Sequence, residues 1–266
     1  MKFKAVFVLF NVVIIVSFLV IYLMPLAMLG WDYTKTFWSE NWGLPVLFVL
    51  ILGILNAYFT FNWRLFGLLE REDWDGLIEH LEHRIYERHI IIAQQCRILV
   101  NAYLVRSRLD AIEKLEAEIE KRRPRLLRRL VMPLGIRYLL SNDPEAMIAF
   151  FGRFVDERVR DRGWVRVAYA FAKLLAGDNE TAAKYLSLVV SEERNPVLKM
   201  LALYLAEGVS PGSHTEEVER LRERMSPEKL QDEIERQRSN VQVVILARLI
   251  DEAKEWLFST GDSSAR

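Results

Sequence analysis

Two stretches near the amino terminus show no alternation of apolar and polar positions. From Ala5 to Gly30, and again from Asn41 to Trp63, the chain has no charged residue. A helix needs about 20 apolar residues to cross the hydrocarbon core of a bilayer. "FKAVFVLFNVVIIVSFLVIYLM" and "GLPVLFVLILGILNAYFTFNW" both reach that length. The first exceeds the roughly 7–15-residue apolar region of a signal peptide, and "PLAMLGWDY" lacks a small-x-small cleavage site. The pattern predicts two transmembrane helices, at about 5–29 and 43–64, in an anchor of residues 1–66. Asn11, Ser17 and Asn56 are the polar interruptions, expected where the two helices touch. Trp31, Tyr33, Phe37, Trp38 and Trp42 in the connector are expected at headgroup depth, and Trp63 on the other side.

After Arg64 the pattern changes to amphipathic helices. Small residues stand at Gly76, Ala111, Ala146 and Thr181, a spacing of 35. Around them lie "EDWDGLIEHL", "SRLDAIEKLE", "NDPEAMIAFF" and "GDNETAAKYL". Each opens at a polar break, with acidic residues in the first turn, where they suit the helix dipole. Asp143 before Pro144 has the form of an N-cap followed by proline at the first helical position. Further helices are expected between these, at roughly 90–106, 125–141, 162–176 and 196–207, and no strand pattern of useful length occurs. Helix pairs at such a period bury their apolar faces only by stacking. The chain thus reads as all-α: two transmembrane helices, a helical-repeat solenoid over 67–225, capping helices over 226–258 and a disordered tail at 259–266. In the capping region Ser226-Pro227 divides two helices. Val241, Val244, Ile245, Arg248, Leu249 and Trp256 fall at the spacing of one terminal helix.

The repeat resembles the tetratricopeptide family. "LGIRY" (Leu134, Gly135, Tyr138) matches that family's Leu-Gly-x-x-Tyr spacing, and "GDNETAAKYL" its Gly-Asp-x-x-x-Ala, with Ala182 and Leu186 at packing positions. The resemblance covers about residues 64–225. It implies a concave surface, lined by the first helix of each pair, that holds a peptide or helix of a partner. On that mapping Arg97, Asn101, Met132, Ile136, Leu139, Trp164 and Phe171 face the groove or a neighbouring helix. Arg97 and Asn101 match half of a carboxylate-gripping pair, but Pro133, Trp164 and Ala168 stand where further polar groups would be needed. The layout of two spans before such repeats is also similar to HemY-type proteins of bacterial inner membranes. It implies an integral bacterial inner-membrane protein.

Charge adds orientation and one patch. The 266 residues hold 36 Lys and Arg against 36 Asp and Glu, so no global charge favours nucleic acid. Lys2 and Lys4 precede the first span and Arg64 and Arg71 follow the second, whereas the connector holds Lys35 alone. That asymmetry places both termini and the repeat region in the cytoplasm. The cluster "KRRPRLLRR" (Lys121, Arg122, Arg123, Arg125, Arg128 and Arg129) is either a solvated turn paired with Glu116, Glu118 and Glu120 or a surface for anionic lipid or nucleic acid. No aromatic residue interleaves it, which disfavours single-stranded nucleic acid.

Candidate chemistry is sparse. His80, His83 and His89 stand among Glu79, Glu82 and Glu87, but His-Glu-x-x-His spacing is absent, so no metal is expected. The single cysteine, Cys96, reads as a small buried apolar residue. No phosphate-binding glycine loop or nucleophile elbow is present, and no cofactor or small-molecule substrate is evident. The expected function is a non-catalytic, membrane-anchored scaffold that binds a protein partner. The alternative is binding of anionic lipid or nucleic acid through residues 121–129.

Overall fold

The computed structural model describes residues 3–238 and 240–259. Lys2, the side chain of Lys4 and the tail beyond Ser259 lie outside the described residues. All secondary structure among the described residues is helical, and the chain divides into two compact units, Met1–His80 and Leu81–Arg266.

In the first unit, α1 (Phe3–Glu40) contains the first apolar segment and α2 (Gly43–Phe61) the second. Ala5–Met28 and Gly43–Phe61 are both long and apolar enough to cross a membrane, and neither is buried within the protein. Helix α1 breaks at Gly30, whose φ of 79° is a conformation that glycine adopts without steric cost. The connector is therefore a short helix folded back on the first span. Trp38 stacks on Tyr22 at 5.7 Å and donates its indole N–H to the Tyr22 carbonyl at 3.3 Å. Trp31, Tyr33 and Trp42 remain exposed. The two apolar helices meet through Phe18 stacked on Phe48 at 3.9 Å, and through Asn56 Nδ2 donating to Asn11 Oδ1 at 2.7 Å. Two of the polar residues expected at the helix contact are thus paired there, amid side chains that offer them no other partner. The second apolar helix ends at Phe61, earlier than the sequence pattern implied. Asn62 interrupts it, and α3 (Trp63–Glu70) follows.

Helix α4 (Trp74–Glu82) runs into a single π turn, His83–Glu87, and the unit boundary falls within α4. The second unit then alternates two kinds of helix. Helices α5 (Ala93–Val105), α7 (Pro124–Ser141), α9 (Arg162–Leu175) and α11 (Pro196–Val209) pack each on the next of the series. Helices α6 (Leu109–Arg122), α8 (Pro144–Gly152) and α10 (Asn179–Glu192) pack against the helices on either side of them in sequence. Trp74, Leu109, Pro144 and Asn179, the first residues of α4, α6, α8 and α10, recur every 35 positions. Three of these four starts are capped from the same offset. Asp73 accepts from Gly76 N at 3.0 Å, Asp143 from Glu145 N at 3.1 Å, and Asp178 from Thr181 N at 3.1 Å. Arg108 occupies the offset in the remaining copy, which lacks a side-chain cap.

"LGIRY" acquires a physical meaning here. A Cβ on Gly135 would sit 2.5 Å from the Phe151 ring, so glycine is what lets α7 and α8 approach. Tyr138, one turn on, stacks on Phe150 at 4.5 Å and donates to Glu116 at 3.0 Å, tying α6, α7 and α8 together.

After α11 come α12 (Thr215–Arg224), α13 (Pro227–Gln237), α14 (Val241–Ile245) and α15 (Ala247–Ser259). Residues 241–258 are not the single helix that apolar spacing implied. Leu246 separates two helices, and the inward positions shift. Gln242, Val243, Ile250, Ala253 and Leu257 are buried, while Val244 and Arg248 are exposed. The break lets α14 pack on α7 while α15 packs on α11 and α12.

Candidate functional site

The groove residues predicted from sequence separate into two groups. Met132, Ile136 and Trp164 are core residues, between 1% and 4% exposed. Leu139 and Phe171 are half-buried. Arg97 and Asn101, one turn apart on α5, line a cavity of about 120 Å³ together with Arg160, Asp161, Asn240 and Gln242. One side of this cavity is thus formed by residues just before and within α14. Arg97 donates to the Arg129 carbonyl at 2.9 Å. Burial and the neighbouring Arg160 hold its pKa below the usual guanidinium value.

Three adjacent helices offer something else. Val105, Leu140 and Leu175 stand in or beside the last turns of α5, α7 and α9 at a spacing of 35, and are 56%, 46% and 44% exposed. Large aliphatics this exposed at one repeated position form a row, which differs from the scattered apolar residues of an ordinary surface. The same 35-residue spacing that identifies the helix starts would have found them in the sequence.

The basic residues sit on the tight turn between α6 and α7. Arg122 pairs with Glu118, and Arg128 pairs with Glu157 at 2.8 Å. Glu116 and Glu120 are taken by Arg153 instead. Lys121, Arg123, Arg125 and Arg129 make no ion pair among the described residues. Arg122, Arg123, Arg125 and Arg129 border an open concavity of about 430 Å³ floored by Pro124 and Leu126.

Other candidates are structural. His83 pairs with Glu87 at 2.7 Å, and no three His, Cys, Asp or Glu side chains gather as a cation site among the described residues. Cys96 is 1% exposed, and burial pushes its thiol up to about 11. A native-state thiol reagent such as maleimide should leave Cys96 unmodified for hours at pH 7.5 and label it fully in denaturant. Fast labelling of the folded protein would contradict this burial.

Glu116 is a buried acid whose desolvation raises its pKa, opposed by the hydrogen bond from Tyr138 and by Arg137 and Arg153. Tyr138 is itself pushed up to about 12, first by burial and then by Glu116. A raised carboxyl pKa contributes stability at low pH. That contribution is whole below the unfolded value of about 4.3 and is lost as pH rises through the folded pKa. Glu116→Gln should therefore remove a downward slope of Tm with pH that begins near that value. Parallel Tm–pH curves for the two proteins would refute the assignment.

The fold and these surfaces define an all-α protein with two potential membrane-spanning helices and a domain of packed helix pairs. The chain belongs to the family described as "Uncharacterised Treponema protein", which matches residues 111–259, from α6 to the end of α15. It is also 26% identical over 280 aligned residues to an "Uncharacterized protein" of Treponema pallidum (strain Nichols), covering 97% of this chain and 88% of that one. That likeness therefore includes the apolar helices as well as the helical domain. No solved structure matches the chain.

Proposed function

We propose that this protein is a non-catalytic scaffold, anchored by α1 and α2 in a bacterial inner membrane, whose tetratricopeptide-like helical domain binds a protein partner on the cytoplasmic side. The observation that carries this reading is the row Val105, Leu140 and Leu175 along three successive helices. A preformed row of aliphatics suits the apolar face of an amphipathic helix, with Leu139 and Phe171 as half-exposed neighbours. Rigid helices present it without ordering cost on binding. The test is crosslinking of the full-length protein in its native membrane, beside a Val105→Asp, Leu140→Asp, Leu175→Asp variant. The expected result is a partner captured by the wild type and lost in a variant of unchanged helicity. Partners that persist in the variant would refute this surface.

A second reading rests on the concavity at the turn between α6 and α7. Its unpaired arginines beside an apolar floor match a lipid headgroup with adjoining acyl carbons, each charge contributing about 1 kcal/mol near an anionic surface. Full-length protein in detergent should bind a short-chain phosphatidylglycerol. Arg123→Glu with Arg125→Glu should weaken that binding at least about tenfold, by removal of two such charges. Equal binding by the variant would exclude this surface.

A further inference from the structure

The cavity between α5 and the segment leading into α14 has a composition that apolar packing does not explain. Its lining includes Arg97 and Arg160, with the Arg129 side chain near enough to act on Arg97 electrostatically. One carboxylate, Asp161, offsets them from 3.8 Å beside Arg160. The remaining polar lining is uncharged amide, from Asn101, Asn240 and Gln242. Gln242 is the informative one. It is 7% exposed, yet its side chain makes no hydrogen bond among the described residues. Its amide atoms keep access to solvent where they line the cavity, so their donor and acceptor are open to a ligand.

We propose that this cavity is a binding site for a small free oxyanion, of the phosphate or carboxylate class, held between Arg97 and Arg160 and completed by the Gln242 amide. Guanidinium forks pair with either group through two parallel N–H donors. An amide N–H from Gln242 supplies a third donor. A volume of about 120 Å³ admits an ion of this size. The anion would bridge α5 and the turn before α9 to α14, so its binding would hold residues 240–245 against α5. This proposal stands apart from partner binding at the aliphatic row and from the arginine turn, neither of which lines the cavity.

The test uses the full-length protein in detergent, titrated with inorganic phosphate and separately with succinate, at ionic strength held constant with sodium chloride. The expected result is a saturable rise in Tm with at least one of them, about 5–10 °C at a hundredfold excess over Kd. The same anion should slow backbone hydrogen exchange over residues 241–245. Arg160→Gln, at an exposed side chain that the fold does not need, should abolish both effects, as should Gln242→Leu, which keeps the packing volume. The anion that acts distinguishes phosphate from carboxylate as the class. A flat Tm with both anions overturns the proposal. So does a rise of equal size in wild type, Arg160→Gln and Gln242→Leu, which would mark general anion stabilisation of the fold.

Discussion

Gly135→Val should destabilise the helical domain by about 2–3 kcal/mol and lower its Tm by about 5–10 °C, the range for overpacking a dense interface in a domain of this size. The cause is a single contact. The ring of Phe151 is fully buried and lies 2.5 Å from where a Cβ would be placed on Gly135. A helical glycine ordinarily costs about 1 kcal/mol relative to alanine, so the native residue gives up helix propensity to gain close packing of α7 on α8. Gly208→Ala is the control. Nothing lies within 4 Å of its added carbon, and propensity alone predicts a Tm equal to or above wild type. The measurement is thermal unfolding followed by circular dichroism at 222 nm. A Gly135→Val protein as stable as wild type would mean that α7 and α8 are not in this contact.

Trp164→Ala should have the larger effect. Trp164 lies in the first turn of α9 and is 4% exposed, on a helix whose Val165, Val167 and Ala168 are buried as well. Truncating a buried tryptophan costs about 3–5 kcal/mol, against a total stability of about 5–15 kcal/mol for a typical domain. The expected fall in Tm is about 6–20 °C, at about 2–4 °C per kcal/mol. This separates two readings of the residue. As a groove-lining side chain, Trp164 would change partner binding and leave the fold intact; as a core residue it changes the fold. Leu175→Ala, at a side chain 44% exposed, should leave Tm nearly unchanged and serves as the surface comparison. An unchanged Tm for Trp164→Ala would return this residue to the binding surface.

Much of the architecture was legible from residue order because local rules set it. An uncharged apolar run of twenty residues permits few structures, and both apolar helices lie where those runs lie. The Asp-Pro start at Asp143 became a capped helix because side-chain capping is decided within three residues. The 35-residue spacing of small residues reappeared as the spacing of helix starts, since each pair must present the same face to the next. Asn11 and Asn56 were readable as a helix contact because lone amides in an apolar helix need a partner.

Other features depended on what the chain packs against. Spacing put Met132 and Leu139 on the same expected surface, yet one is buried and the other half-exposed, because burial depends on the neighbouring helix. Arg166, charged and 2% exposed, is unremarkable in sequence. Only α10, which brings Glu192 to 2.6 Å, makes its burial tolerable. The terminal segment is the clearest case. Apolar periodicity over residues 241–258 was compatible with one straight helix. The break at Leu246, the turn of α14 onto α7 and the gathering of Gln242 with Arg97 and Arg160 around one cavity come from contacts between segments distant in the sequence. The sequence by itself determined the helices, their caps, their period and the two apolar segments, because those follow from interactions within a few residues. Which faces are covered, and what gathers around the inner cavity, was decided by the tertiary structure, because distant segments compete for the same apolar surface.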